Sequence, residues 1–340
     1  MDSHISYAMR NSEALEALVF VNAPSALLDS SFLVIELIVL SGFATTVMHA
    51  FRHARQSGTP SAPLTLLACL LYGLLMDISS YYTVENFWHG EFSVMFLYNR
   101  LPLYIVLLYP ALLYHLCMTI RRYEFSPLVE AISVGFFGGV AYSIFDNLGP
   151  MLGWWIWDTS DPTTLPYLSS VPVTSYHWFF LFTGVFAWLT RIVCWDWVAR
   201  RKSRAAIGLG VALVPFLTVA LGALLFIPYN LFAYNGMLGI AAALHALSFT
   251  AAGLLYVFSF RSPSAPRDRL LMFFPLAWTA GLFYLYAARL EIYFAITPEG
   301  LSRDGLAVGN VFVASCAMIA TLAIVFASHP ASVDGEKHVS

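Results

Sequence analysis

Charge is what this 340-residue chain has least of: only 11% of its residues are Asp, Glu, Lys or Arg. Soluble domains carry about one quarter, so an ordinary soluble fold is excluded. The net charge of −3 leaves no basic footprint and excludes a nucleic-acid partner. Cysteine is scarce too. Cys69, Cys117, Cys194 and Cys316 each fall inside an apolar run, with no CxxC pair and no secreted disulfide pattern, and read as small buried hydrophobes. Nine histidines do not make the spaced boxes of a membrane di-iron oxidase. The one HxxxH pair, His49 and His53, is too little for a metal centre, so neither metal nor cofactor is expected. GxSxG, HExxH and Walker sequences are missing. Asp158 and Asp161 form a lone DxxD in a proline-containing loop, a poor match to a magnesium-diphosphate site. The N-terminus lacks a basic n-region and an early apolar h-region, so no cleaved signal peptide is expected. That lack of a targeting segment favours a bacterial plasma membrane.

What the chain has is apolar length, at 59% hydrophobic residues. A membrane helix needs about 20 apolar residues. Nine segments qualify: 32–51, 63–85, 100–120, 128–149, 176–199, 206–228, 236–260, 270–290 and 306–328. The expected fold is all-α, a polytopic helical membrane bundle with the lipid bilayer as its partner. Twelve of the 17 Lys and Arg lie at one set of loops, from Arg52/Arg55 through Arg200–Arg204 to Lys337. Arginine and lysine favour the cytoplasmic side, which puts the N-terminus outside and the C-terminus inside. Residues 1–30 form an extracytoplasmic segment, in which Asn11–Val21 has the spacing of a short interfacial helix. Residues 31–328 make one transmembrane domain, and 329–340 a polar, disordered tail. Gly135 and Gly139 form a GxxxG that predicts close helix packing.

The stretch from Asp146 through Phe179 stands apart. Trp154, Trp155 and Trp157 fall within four residues, followed by Asp158 and Asp161 and by prolines at 162, 166 and 172. Ionisable residues inside membrane spans mark functional sites by default. Most of them collect toward this same outer side. Asp77, Tyr81 and Glu85 are spaced four apart and share one helical face, continuing into Trp88 and His89. Glu36, Arg100, Arg289 and Glu291 sit at helix ends, where they reach water by snorkelling. On the inner side Asp196 and Arg200 stand at i, i+4 as a helix-surface ion pair. His245 is alone in its helix and reads as a satisfied core histidine.

One chemistry suits these residues. Protonating a carbon–carbon double bond needs an acid that stays protonated near neutral pH, a state that burial favours. The carbocation that follows needs a negative π surface. Asp77 or Asp146 is the candidate acid, with Glu85 and His177 as further catalytic candidates and His177 placed to orient water. Tyr81, Trp88, His89, Trp154, Trp155, Trp157 and Trp178 are the candidate binding surface for a hydrophobic small-molecule substrate. The order Asp146, Gly149, Gly153, Trp154, Trp155, Trp157, Val171, Pro172, Trp178, Phe179 resembles the carotenoid-biosynthesis integral membrane proteins, the carotenoid hydratase family. Thr174-Ser175-Tyr176 stand where that family's asparagine is expected. The resemblance implies a multi-helix enzyme that hydrates terminal double bonds of carotenoids; cyclisation of a terpenoid is the related alternative. A proton- or cation-coupled transporter using the same acids, and a non-catalytic membrane partner, remain open. The sequence does not specify an oligomeric state.

Overall fold

The computed structural model describes residues 18–167, 171–263, 266–297, 300–303 and 305–330. Among the described residues nine long helices run α1 (Ser31–Ser57), α2 (Ser61–Ser79), α3 (Leu103–Arg121), α4 (Pro127–Asp146), α5 (Val173–Thr190), α6 (Arg204–Tyr234), α7 (Leu238–Ser259), α8 (Arg269–Ala288) and α9 (Val311–Ala327). Eight are long and apolar enough to cross a bilayer, and each overlaps an expected segment. The ninth, α9, has 17 residues, at the short end of the spanning range of roughly 17–25. The chain is therefore an integral, multi-pass membrane protein of all-α class.

Local sequence explains the helix ends. Gly58 adopts φ 66° and closes α1 by donating its N–H to the Ala54 carbonyl. Asp268 caps α8 and Asn310 caps α9, each accepting two backbone N–H groups. The GxxxG expectation holds on α4. A Cβ on Gly135 would stand 2.6 Å from the Phe180 carbonyl of α5, so only glycine allows that approach.

One end of the bundle gathers arginines. Glu130 of α4 accepts from Arg121 at 2.6 Å and from Arg191 at 2.5 Å. The Arg121 guanidinium lies 3.9 Å over the Trp195 ring. Asp268 pairs with Arg52 and, at 3.3 Å, with His49. Burial would raise the Asp268 pKa, but hydrogen bonds from His49 and Arg52 and their charge hold it below the usual carboxylate range. Asp196 meets Arg191 at 3.2 Å, not Arg200. The expected i, i+4 pair fails because residues 191–196 form a π-helical stretch and Arg200 ends the following turn, Trp197–Ala199. Ser328 and His329 are not a loose tail. Both are buried, and their carbonyls accept from Arg122 at 2.7 Å and Arg267 at 3.0 Å. Residues 331–340 of the expected tail lie outside the described residues.

The opposite end gathers tryptophans and five short strands that the all-α reading did not foresee. β1 (Val19–Val21), β3 (Val94–Phe96) and β4 (Leu101–Pro102) form a small antiparallel sheet. Val19–Val21 are thus strand rather than interfacial helix, and residues 11–17 of that expected helix lie outside the described residues. β2 (Phe87–His89) pairs antiparallel with β5 (Trp155–Trp157), setting Phe87 opposite Trp157 and His89 opposite Trp155. Glu36 anchors this end by accepting from Ser93 through its N–H at 3.0 Å and its hydroxyl at 2.5 Å. Arg289 pairs with Asp29.

Candidate functional site

Beneath the β2–β5 ribbon lies a cavity of about 390 Å³. Side chains alternate across a strand, so Phe87 and His89 face the same way, as do Trp155 and Trp157. All four line the cavity. Trp88 and Ile156, on the alternate face, do not. The ribbon is thus an aromatic roof. The walls come from α2, α3, α4, α5 and α6 and are mostly apolar, with Leu108, Phe145, Phe179, Phe182 and Phe226 prominent.

Among the described residues Asp77 is the one carboxylate in the lining, set among hydroxyls and the Asn86 and Asn230 amides. It is buried, with the lining Tyr109 beside it. Its Oδ2 has no hydrogen-bond partner among the described residues. Tyr142, also in the lining, lies within electrostatic reach of both Asp77 and Asp146. Asp146 is fully buried behind the wall, and neither oxygen has a hydrogen-bond partner among the described residues; the lining Ser175 lies close by. Among the described residues no ion pair involves either aspartate. Thr163, Thr164 and Thr174 add hydroxyls beside the ribbon.

The remaining expected site residues fall elsewhere. Glu85 is 61% exposed and sits 3.7 Å from Arg100, outside the cavity. It leaves the Asp77 face because α2 gives way to a π-helical turn at Ser80–Val84 and Glu85 itself has φ 51°. Tyr81 is buried next to Asp77 but does not line the cavity. Trp154 is fully buried and turns toward α1, donating its Nε1–H to Ser31 at 3.1 Å. Trp178 lines the cavity; His177, one residue earlier on α5, is rotated away and meets His245 at 3.2 Å. His245 is therefore not solitary. Arg100 donates to the Tyr81 carbonyl at 3.0 Å rather than only snorkelling. Asp158 and Asp161 organise turns, accepting from Ser160 and Thr163. Among the described residues no cluster of three metal-ligating side chains occurs.

His89 links roof and wall. Its ring stacks edge-on against Tyr81 and Trp155, and its Nδ1 lies 3.3 Å from the Trp154 carbonyl. Burial pushes its pKa down to about 3 from 6.5. Below pH 6.5 an opened ribbon binds a proton that the closed one refuses until about pH 3, so acid favours opening. The ribbon should loosen across that window, by up to roughly 1.4 kcal/mol per pH unit. Tryptophan emission shifting to the red between these limits, and flattening in His89→Phe, checks this; identical titrations in the two proteins would refute it.

The sequence reading missed Tyr109, Tyr142, Ser175 and the threonines. They lie in apolar or loop segments where nothing in spacing singles them out. The family described as "Domain of unknown function (DUF7802)" matches residues 21–256. No curated protein and no solved structure matches the chain.

Proposed function

This chain belongs to the DUF7802 family, and we propose that it is a membrane enzyme acting on a double bond of an isoprenoid-like lipid by protonation. One observation carries the reading: a buried aspartate with an unpartnered oxygen and no cationic neighbour in ion-pair contact, among the described residues, faces a cavity whose surface is mostly apolar and rich in aromatic rings. The volume of about 390 Å³ falls within the roughly 300–1,000 Å³ of ligand pockets and suits one end of a polyene. With the arginine end toward the cytoplasm of a bacterial plasma membrane, the cavity lies in the outer half of the bilayer.

In this reading Asp77 gives its proton to the less substituted carbon of a terminal double bond. The π electrons form the new C–H bond and leave a tertiary carbocation. The faces of Trp155, Trp157 and Trp178 stabilise it by cation–π attraction. A water held by the Thr164 and Ser175 hydroxyls adds to the cation, and its extra proton returns to the Asp77 carboxylate. The net change is addition of one water. If a second double bond attacks before water does, a ring closes, and the new cation loses a proton from the adjacent carbon to the Asp77 carboxylate, giving an isomer.

Expression in a lycopene-producing bacterium, with mass analysis of the pigments, tests this. The expected result is pigment heavier by one water per modified end, or an isomeric ring. Unchanged pigments and lipids, together with proton-coupled uptake by vesicles carrying the protein, would overturn the enzyme in favour of a transporter.

A further inference from the structure

A second cavity, of about 240 Å³, lies between α4, α7 and the starts of α5 and α9, in the tryptophan-end half of the bundle. It shares no lining residue with the cavity that holds Asp77. Its walls are small or apolar: Gly139, Val171, Ala242, Ala246, Phe249 and Val313. Four polar side chains reach it. The Ser143 hydroxyl is committed to the Val140 carbonyl at 2.8 Å. The Asn310 side chain caps α9 through Phe312 and Val313. The Tyr176 hydroxyl takes a hydrogen bond from Asn147 at 2.7 Å. The fourth is His245.

The His245 Nδ1 meets the His177 Nδ1 at 3.2 Å. Two ring nitrogens this close need one proton between them. The ring that supplies it keeps a bare Nε2; the other ring carries its proton on Nε2. His177 is buried and stacked on Tyr229, with ring centroids 4.8 Å apart. The His245 ring lines the second cavity, and its Nε2 has no hydrogen-bond partner among the described residues. The reverse pair of neutral tautomers, reached when the shared proton changes rings and an Nε2 proton is exchanged the other way, makes that Nε2 a donor instead of an acceptor. A ring with this freedom pairs equally with a hydroxyl or a carbonyl. A charged head would find no counter-ion here, since no ionised side chain lines the cavity.

We infer that this cavity binds a neutral lipid by one oxygen, a hydroxyl or carbonyl at the head of an apolar tail, with His245 as the hydrogen-bonding group. The tail lies along the exposed face of α7. The site is independent of the proposed chemistry at Asp77 and does not require it.

The test is direct binding to the purified full chain in phosphatidylcholine nanodiscs. The probes are geranylgeraniol, a decyl-substituted benzoquinone, and an oxygen-free hydrocarbon of the same length as geranylgeraniol. At least one oxygenated probe should bind about tenfold tighter than the hydrocarbon, the worth of one good hydrogen bond. Preference for the alcohol or for the quinone identifies the source of the oxygen. His245→Phe should erase the preference and leave hydrocarbon binding unchanged. Ala246→Trp, on the exposed rim, should also erase the preference, with any binding at the Asp77 cavity remaining, and decides the matter if His245→Phe does not fold. Asp77→Asn should show the same preference as wild type, so a failed enzyme assay leaves this result standing. Equal affinity for oxygenated and oxygen-free probes, a folded His245→Phe that keeps the preference, or a folded Ala246→Trp that keeps it would each overturn the inference.

Discussion

Glu130→Leu should lower the stability of the bundle by about 3 kcal/mol, toward the lower end of the range for breaking a buried ion pair. Glu130 is almost completely buried and holds two guanidiniums, Arg121 from α3 and Arg191 from the π-helical stretch after α5. Removing the carboxylate leaves two cations facing each other where water is scarce. A cup of about 410 Å³ beside them, lined by Arg121, Arg191 and Asp268, offers some solvation and keeps the loss from the upper end. Adding Arg191→Met should restore part of the loss, because one cation then sits alone against Trp195. The midpoint of thermal unfolding in detergent reads both effects. A Glu130→Leu protein as stable as wild type would show that the bridge contributes nothing net.

The helices were legible because a bilayer leaves so few solutions. Every backbone group must be paired within the span, so an apolar run of about 20 residues can only be a helix. The third segment, with Pro110 inside it, also formed a helix, α3, since neighbours satisfy what a proline leaves open. The strands were not legible. Each is two or three residues long, and β2 finds β5 across 65 or more residues, with no turn signal between them. Their pairing answers tertiary geometry rather than local propensity.

The candidate site was half legible for related reasons. A buried aspartate and a tryptophan cluster declare themselves in sequence, and Asp77, His89, Trp155, Trp157 and Trp178 do share one cavity. Direction was the hidden variable. Trp154 and Trp155 are adjacent, yet only the second faces inward, because strand alternation starts between them. His177 and Trp178 differ by about 100° around a helix, enough to send one toward α7 and the other to the cavity. Glu85 left its predicted face through a π turn that no 3.6-residue period reveals. The hydroxyls of Tyr109 and Tyr142 hid among apolar neighbours, since a tyrosine in a membrane helix reads as bulk until a carboxylate is seen beside it.

Asp77→Asn should reduce turnover of the double-bond substrate by about 10²–10⁴-fold, the usual contribution of general acid catalysis. The amide has nearly the same shape, so packing in the cavity is preserved. What it lacks is a proton to deliver. Asp146→Asn should cost far less, because Asp146 stands behind the wall and reaches the cavity only by way of Ser175 and Tyr142. The pair of variants separates two mechanisms. If Asp77 alone supplies the proton, the ratio of the two defects is large and substrate binding is unchanged in both. If the proton passes between the two carboxyls across Tyr142, the defects converge, and Tyr142→Phe shares them. Unfolding midpoints measured alongside distinguish either result from a structural role. An Asp77→Asn protein that folds, binds substrate and turns it over at the wild-type rate removes Asp77 as the acid, and the apolar cavity around it would then be a binding site without this chemistry.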